Sequence, residues 1–408
     1  MSAGPLPEPE RRSLLWILYL MPGPNGAILR YLNFSKRLRE AGFSVHFAIS
    51  EGSSGQGEEL VQEGCINGFS KLSPYRASGF RNALSRFLIF PGLRNRFMTR
   101  SQAGVHQEIL SLVSRLNADV CIVSNRDYLM CISALTPVTR VVIDWCDSHV
   151  LFYSRSLLQS IRSGAWREVP RAIHSAVISL LSESYYPALA HGNVVVSPRD
   201  GKTIRRICPG ARDLRVVLNG CEAGNSCAKP MMVMDRLIFS GRMDFPPNYE
   251  GAIWFIDHVM PLVQRRRPGV HLVIAGADPV DKLKARQSRA VYVTGFVPDM
   301  LTELAQASLY VAPLVSGGGF KNKIFEAILA GTPIVGTPLA VEFLPEELRS
   351  AVLVGKDAAG FADAVVRCLE NPEPLAEEIK RAQQLLMLQF NWRARTADLL
   401  SVLNGSGI

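Results

Sequence analysis

The stretch SGGGFKNKIFEAILAGTPIVGTP, residues 316–338, decides the fold of the second half of the chain. It follows the apolar run LYVAPL (309–314), which predicts a buried strand, and residues 323–330 within it predict a helix. Three consecutive glycines therefore stand between the carboxyl end of a strand and the start of a helix. Backbone amides without side chains, combined with the positive end of a helix dipole, form a chemically suitable site for a diphosphate.

Charged side chains surround this glycine run. Lys321 and Lys323 add positive charge, and Glu326 can accept hydrogen bonds from the two hydroxyls of a ribose. The simpler alternative is a flexible loop followed by an acid near a helix start, where the dipole favours negative charge. On residue chemistry alone, both interpretations stay open.

The same alternation of short apolar strands and helices extends outward in both directions. The second half contains RLIFSG (236–241), VHLVIAG (270–276), AVYVTGF (290–296) and AVLVG (351–355); the first half contains LLWILYLM (14–21), SVHFAIS (44–50), DVCIVSN (119–125), RVVIDWC (140–146) and NVVVSP (193–198). Apolar strands separated by helices predict parallel sheets covered on both faces. We therefore predict an α/β protein of two doubly wound sheets facing across a cleft, where ligands bind at the carboxyl ends of the strands.

The predicted boundaries follow from composition. Residues 1–12 form a loose, Pro- and charge-rich tail, residues 13–220 the first domain, and residues 221–232, rich in small polar side chains, a linker. Residues 233–385 form the second domain. A C-terminal helix within 386–408 is expected to cross back to the first domain.

Bulk composition limits the class of protein. The chain has 408 residues, 48% of them apolar and 20% charged, which excludes a disordered chain, and its net charge of +9 favours anionic partners. Its eight cysteines show neither a C-x-x-C pair nor zinc-ligand spacing, as expected of reduced thiols in the cytoplasm. Residues 11–23 have the basic start and apolar run of a signal peptide, but a first core strand fits the short run better. No apolar run is long enough to span a membrane.

The segment 316–344 resembles the donor-binding signature of GT-B fold glycosyltransferases, specifically the retaining glycosyltransferase family 4, or group 1-like, enzymes. Upstream, FSGRMDFPPNYEGAIWFIDHVMPLV (239–263) and VVLNGCE (216–222) are similar to further motifs of that family, in the expected order. The resemblance covers most of residues 190–370. In the first half it rests on the loop 23–26 with Arg30 and on DWCDSH (144–149).

The resemblance implies two Rossmann-like domains that transfer a sugar, with retention of configuration, from a UDP- or GDP-sugar to a saccharide, lipid-linked or small-molecule acceptor. It also implies a bacterial enzyme of polysaccharide or glycoconjugate biosynthesis that needs no metal or other cofactor. The implied donor-site residues are Arg242, Gly317, Gly318, Gly319, Phe320, Lys321 and Lys323 at the diphosphate and Glu326 at the ribose.

In the first domain, the resemblance implies that Asp147 and His149 are catalytic and that Gly23, Asn25 and Gly26 lie near donor and acceptor. Asp147 would take a proton from the acceptor hydroxyl, and His149 would contact the donor sugar. The alternatives are a helix cap at 147–148 and a plain tight turn at 23–26.

Two departures from the family pattern keep a second function open. Gly318 stands where the family often has the first of two glutamates, and a frequent lysine after Arg242 is missing. The alternative function is a catalytically degenerate GT-B protein that binds nucleotide sugar or glycan. A GT-B epimerase or phosphorylase is a third interpretation.

Residues 64–107 contain no Asp or Glu but seven Lys or Arg and several aromatic residues. This composition predicts peripheral contact with an anionic membrane at the inner face of the cytoplasmic membrane. A solvated basic helix with a core-facing aromatic side is the alternative. No nucleic-acid-binding module is visible, so nucleic acid is not an expected partner.

Overall fold

A computed structural model of the protein describes residues 12–20, 26–50, 54–73, 100–162, 164–222 and 232–405. Several predicted features lie outside these ranges. They are residues 1–11 of the predicted tail, Gly23 and Asn25 of the first loop, residues 74–99 of the basic segment and most of the predicted linker. Within them, no helix has the combination of length and apolarity that crossing a bilayer requires.

The first lobe contains a parallel sheet of seven strands in the order β3-β2-β1-β4-β5-β6-β7. The strands are β1 (Arg12–Leu18), β2 (Phe43–Ser50), β3 (Gly68–Leu72), β4 (Val120–Val123), β5 (Arg140–Asp144), β6 (Gly192–Val195) and β7 (Leu214–Val216). The helices are α1 (Gly26–Glu40), α2 (Ser54–Gln62), α3 (Arg100–Leu116), α4 (Ile132–Leu135), α5 (His149–Arg162), α6 (Val169–Leu189) and α7 (Pro198–Ile207).

The second lobe contains a parallel sheet of six strands in the order β10-β9-β8-β11-β12-β13. The strands are β8 (Val233–Ser240), β9 (His271–Ala275), β10 (Val291–Gly295), β11 (Ala307–Ala312), β12 (Ile334–Gly336) and β13 (Val352–Val354). The helices are α8 (Pro246–Trp254), α9 (Met260–Arg266), α10 (Asp281–Lys284), α11 (Met300–Ala305), α12 (Asn322–Ala330), α13 (Pro338–Val341), α14 (Ala358–Glu370), α15 (Glu373–Gln389) and α16 (Trp392–Asn404).

Strand β1 shows why the strands are continuously apolar. Leu15 and Ile17 pack into the core on one face of the sheet, while Leu14, Trp16 and Leu18 pack into the core on the other. Because helices cover both faces, every side chain of the strand from Leu14 onward must be apolar. The prediction of two α/β sheets is confirmed.

Each sheet reverses its strand order once, and this reversal determines where a ligand can bind. In the second lobe, β8 and β11 are neighbours although they are far apart in sequence, so the loops that follow them diverge at the carboxyl edge. That edge is the usual ligand position in open α/β sheets. The loop after β8 carries Arg242, and the loop after β11 carries the three glycines.

The last helix returns to the first lobe. The ring of Trp392 in α16 packs edge-on against Phe34 of α1, at 5.3 Å between centroids. Arg140 of β5 donates a 2.9 Å hydrogen bond to the carbonyl of Val402. The chain therefore crosses between the lobes twice, once after β7 and once before α16.

Several element bounds differ from the sequence-based expectations. The helix expected from 249 begins at Pro246, because proline fits the first turn of a helix, and its middle contains a π-helical turn, Phe255–Val259. The strand expected at 309–314 spans Ala307–Ala312 instead. Strands β3 and β7 were not expected, because β3 carries an exposed lysine and β7 has only three residues.

Candidate active site between the two lobes

The residues 316–321, called the glycine loop, connect β11 to α12. Gly317 has φ +99° and Gly319 has φ +65°, in the region that favours glycine, whereas Gly318 has an ordinary φ. The loop therefore needs its first and third glycines for backbone shape, while the backbone of Gly318 imposes no such requirement.

Cations hold the carbonyl groups of the glycine loop. Arg155 of α5 donates to the Gly317 carbonyl at 3.0 Å, and the Lys321 ammonium donates to the carbonyls of Gly318 and Gly319. In a trans peptide the N–H points away from the C=O, so the amides of Gly318, Gly319 and Phe320 face the opposite way. These three amides have no hydrogen-bond acceptor among the described residues. Successive unpaired amides of this kind form an anion-binding concavity.

Lys321, expected at the diphosphate, donates to the carbonyls of the glycine loop itself. Its side chain is only 8% exposed, and its Nζ lies 2.8 Å from the Gly319 carbonyl oxygen. Burial lowers its pKa, while Asp147 and Glu342 act in the opposite direction. A direct phosphate contact would require these loop bonds to break, so the arrangement favours a positioning role.

Lys323, in the first turn of α12, is the second cation of the site. Its Nζ donates to Oδ1 of Asn248 at 2.6 Å, and Asn248 in turn donates to the carbonyl of Arg242 at 2.8 Å. Burial lowers the pKa of Lys323 to about 7, although nearby Glu326 raises it. A Cβ on Gly241 would lie 2.8 Å from this Nζ, so a glycine after β8 leaves space for the ammonium.

Glu326 lies one turn further along α12 and lines a cavity of about 500 Å³ between the lobes. Residues from both lobes form its walls: Leu29, Glu222, Asp299, Asn322, Glu326 and Trp392. Burial raises the pKa of Glu326, and Lys323 lowers it. A cavity of this size with the carboxylate of Glu326 in its wall can hold an aromatic base and a ribose.

Asp147 of the first lobe meets the glycine loop directly. A Cβ built on Gly319 would lie only 1.7 Å from Oδ1 of Asp147, so the carboxylate occupies the space that any side chain at 319 would need. Burial and the neighbouring Asp200 raise the pKa of Asp147 to about 7, while Lys321 and Arg30 lower it. This carboxyl group is therefore able to exchange a proton near neutral pH.

The start of α5 beside Asp147 is held by two buried acids. Asp200 accepts a 3.0 Å hydrogen bond from the Ser148 amide, and Glu183 accepts bonds from the Ser148 hydroxyl at 2.7 Å and the Val150 amide at 3.0 Å. The Ser148 hydroxyl also accepts from the Leu151 amide, so the helix-cap alternative applies to Ser148 and leaves the Asp147 side chain available.

His149 is the first residue of α5. Its Nδ1 is buried without a hydrogen-bond partner among the described residues. Burial, reinforced by Arg126, lowers its pKa to about 4, so the imidazole is neutral at physiological pH. A neutral imidazole can donate or accept a hydrogen bond with a sugar hydroxyl.

A buried polar network links the two lobes at the base of the cleft. Arg30 donates to Asp144 and to Asn219, each at 2.9 Å, and Asn219 donates to Asn322 at 2.9 Å. A Cβ on Gly26 would lie 3.0 Å from the Asn322 amide nitrogen, so the first residues of α1 and α12 meet here. The network connects the first lobe, the crossing after β7 and the helix that follows the glycine loop.

Two further predicted donor-site residues have other partners. Arg242 forms ion pairs with Asp244 at 2.6 Å and Asp278 at 3.5 Å, which offset its charge. The Phe320 ring packs against Phe325 and Phe343, so only its backbone can face a ligand.

Sequence reasoning did not find several residues of the site. They are Arg155, Glu183, Asp200, Asn219, Asn248 and Glu342. Asn219, Asn248 and Glu342 lie in stretches that resemble family motifs, but nothing there singles them out. Each of the six residues reaches the site from a different element, so their proximity leaves no local sequence signal. Among the described residues, no group of three or more His, Cys, Asp or Glu has the arrangement of a metal site.

Comparison with known proteins identifies the class of the second lobe. Residues 235–371 match the family model "Glycosyl transferases group 1". This range contains β8 to β13, the glycine loop, Lys323 and Glu326. The chain therefore contains a glycosyl transferases group 1 domain.

Curated relatives are similar over part of their length. Glycogen synthase of Mycobacterium tuberculosis is 28% identical over 204 residues, which cover 45% of this chain and 47% of the relative. Phosphatidyl-myo-inositol mannosyltransferase of the same species is 28% identical over 185 residues, 42% of this chain and 48% of the relative. The chain spans about half the length of the curated relatives it matches.

Solved structures share the whole two-lobed architecture. The match to the crystal structure of Anabaena Alr3699/HepE in complex with UDP and glucose covers 96% of this chain and 99% of that protein's chain, with TM-score 0.67 and 14% sequence identity. The match to sucrose-phosphate synthase from Thermosynechococcus elongatus covers 97% of this chain and 98% of that protein's chain, with TM-score 0.66 and 16% sequence identity. The fold is GT-B, two Rossmann-like lobes facing across a cleft.

Proposed function

We propose that the protein is a glycosyltransferase that moves a sugar from a nucleotide-diphosphate donor to an acceptor with retention of anomeric configuration. One observation carries the proposal: the unpaired amides of the glycine loop, followed directly by the helix that carries Lys323, stand at the carboxyl edge of a glycosyl transferases group 1 domain. Oriented amides and a cation there stabilise the negative charge that develops on a departing nucleoside diphosphate.

We assign the donor to the second lobe. The amides of Gly318–Phe320 and the Lys323 ammonium would bind the diphosphate, and Glu326 would accept hydrogen bonds from the ribose hydroxyls. The cavity between the lobes would hold the base of a UDP- or GDP-sugar. Arg242 would approach the phosphates only after exchanging its bonds to Asp244 and Asp278.

In the reaction we propose, the bond from the anomeric carbon to the diphosphate oxygen breaks and the acceptor hydroxyl oxygen forms the new bond to that carbon on the same face, so the configuration is retained. The electron pair of the broken bond leaves with the nucleoside diphosphate. Asp147 takes the hydroxyl proton, which suits a carboxyl group whose pKa is raised to about 7. Neutral His149 would orient the transferred sugar through a hydrogen bond to one of its hydroxyls.

The acceptor class follows from the relatives only in outline. One relative is named for a polysaccharide and another for a phosphatidyl-inositol lipid, so we propose a saccharide, lipid-linked or small-molecule acceptor. We propose that the protein is located in the cytoplasm and contacts the inner face of the cytoplasmic membrane peripherally through residues 64–107. No cofactor beyond the nucleotide sugar is proposed.

The test is release of nucleoside diphosphate from a panel of UDP-, GDP-, ADP- and dTDP-sugars, with and without saccharide and lipid-linked acceptors. We expect turnover of one donor, and Glu326→Gln should weaken its binding. Glu222→Gln is the matched control, because Glu222 lines the same cavity but is not assigned to the ribose. No turnover with any donor, or equal effects of both variants, would contradict the assignment.

The second candidate function is a catalytically degenerate protein that binds nucleotide sugar or glycan. Gly318 favours it, since no acid stands where the family often has one. Calorimetry that detects donor binding by a protein without turnover of any donor would support this alternative.

A further inference from the structure

Helix α6 (Val169–Leu189) presents its apolar side chains to solvent. Ile173, Val177 and Leu180 are 47%, 39% and 46% exposed. They stand at positions i, i+4 and i+7, so they form one stripe along the helix. A surface helix of a soluble protein normally places such a stripe against the core.

The opposite, inward side of α6 is partly polar, beside its buried apolar residues Ala172, Tyr186 and Pro187. Ser179, Ser182 and Glu183 are buried there, and all three have hydrogen-bond partners: the carbonyls of Ser175 and Ile178 for the two serines, and the start of α5 for the acid. The helix thus buries three polar side chains while it exposes an apolar stripe. Because its packing on the protein already uses the polar side, the exposed stripe is not needed to complete the core.

Further apolar side chains are exposed near the tip of the hairpin formed by α5 and α6. Trp166, in the connection between the two helices, is 67% exposed, and Leu158 and Ile161 in α5 are 53% and 42% exposed. We call the six side chains Leu158, Ile161, Trp166, Ile173, Val177 and Leu180 the hairpin face. Three exposed apolar side chains in line on one helix, with an exposed tryptophan just before that helix, indicate an interaction surface.

Charge decides which partner fits the hairpin face. Arg162, Arg167 and Arg171 are all exposed around the tip, none in an ion pair with a described residue, and Glu168 is the exposed acid among them. A second copy of the same face would bring these arginines against one another. An apolar partner with a negatively charged surface suits both features, and a tryptophan at the tip suits the boundary between headgroups and acyl chains.

We propose that the hairpin face docks on an anionic lipid bilayer. Helix α5 connects this surface to the site. Its first residue, His149, belongs to the site, and its last residue, Arg162, is one of the three arginines at the tip. Its 14 residues span about 21 Å at the rise of an α-helix. A docked hairpin therefore holds the cleft close to the bilayer, and, if the proposed function is right, favours an acceptor whose anchor stays in the membrane.

The test is flotation of the full chain with vesicles of phosphatidylcholine alone and of phosphatidylcholine mixed with phosphatidylglycerol. We expect flotation with the anionic vesicles only. The stripe variant Ile173→Ser/Val177→Ser/Leu180→Ser should lower partition about tenfold or more, since it removes the apolar contact. Its control is Val61→Ser/Val354→Ser/Met387→Ser, three apolar side chains of similar exposure elsewhere, which should float like the parent protein.

A second variant tests the charge. Replacing Arg162, Arg167 and Arg171 by Gln should weaken anionic partition by about fivefold for each residue. A parent protein that stays unbound, or a stripe variant that floats unchanged, would overturn the proposal. So would a fall in melting temperature of the stripe variant, which means that the chain itself covers the face, or a change in oligomeric state by light scattering. Donor hydrolysis without vesicles should stay unchanged in the stripe variant. Failure of the docking proposal can therefore be distinguished from failure of the proposed function.

Discussion

Replacing Gly319 by alanine probes the contact between the two lobes at the glycine loop. The added Cβ would lie 1.7 Å from Oδ1 of Asp147, and the two atoms must separate to about 3.4 Å for ordinary contact. The left-handed backbone at φ +65° adds a cost of about 1–2 kcal/mol for any residue with a Cβ. Either the carboxylate or the loop must therefore move by more than an ångström.

We expect Gly319→Ala to lower kcat/KM for the donor by about 100-fold, because displacement of about 1 Å at a reacting site has an effect of that size. The adjacent Gly318→Ala is the matched control, since its φ is ordinary and its Cβ would meet Phe152 at a comfortable 3.7 Å. The kcat/KM of Gly318→Ala should remain within a few-fold of that of the parent enzyme.

Steady-state kinetics of nucleoside diphosphate release measures both variants, and thermal unfolding checks that each is folded. The strain alone should lower the melting temperature of Gly319→Ala by several degrees. The reasoning is refuted if Gly319→Ala keeps parental kinetics, or if Gly318→Ala loses as much activity as its neighbour.

Three further predictions use charges of the site. Donor affinity should fall as pH rises above about 7, because Lys323 loses its proton there in the unbound protein and must regain it to bind diphosphate. Calorimetry in buffers of different ionisation enthalpy should detect this proton uptake on donor binding. The Lys323→Met variant should show no such uptake. Asp147→Asn should lower transfer to acceptor by about 100-fold or more while calorimetry finds donor affinity largely retained. Arg30→Met should lower the free energy of unfolding in urea by about 3–5 kcal/mol, because it leaves the buried Asp144 carboxylate unpaired. The exposed pair of Arg37 should contribute less than about 1 kcal/mol when Arg37→Met is measured in the same way.

Much of the fold could be predicted because its strands are buried on both faces. The run that became β1 had to be apolar at every position, and such runs stand out in a sequence. The glycine loop was visible for a similar reason, since Gly317 and Gly319 adopt conformations that few other residues tolerate. Local backbone and burial requirements leave local sequence signals.

Contacts between the lobes left no such signal. Arg155 and Lys321 hold the loop carbonyls from positions 166 residues apart in the chain, and nothing near Arg155 distinguishes it from a surface arginine. Lys321 was recognised as a cation of the site, but its partners depend on how the loop folds back on itself. The exposure of the apolar stripe on α6 was hidden as well, because an apolar stripe predicts a buried face unless the packing is known.

The central claim is that the amides of the glycine loop and the Lys323 ammonium bind the diphosphate of a nucleotide sugar. A crystal structure of the protein with the donor that it hydrolyses, or with the matching nucleoside diphosphate, tests this claim most directly. We expect phosphate oxygens within hydrogen-bond distance of the Gly318–Phe320 amides and of Lys323 Nζ, and ribose hydroxyls on Glu326. A nucleotide bound elsewhere on the protein, or a diphosphate that leaves those amides without a ligand, would contradict it.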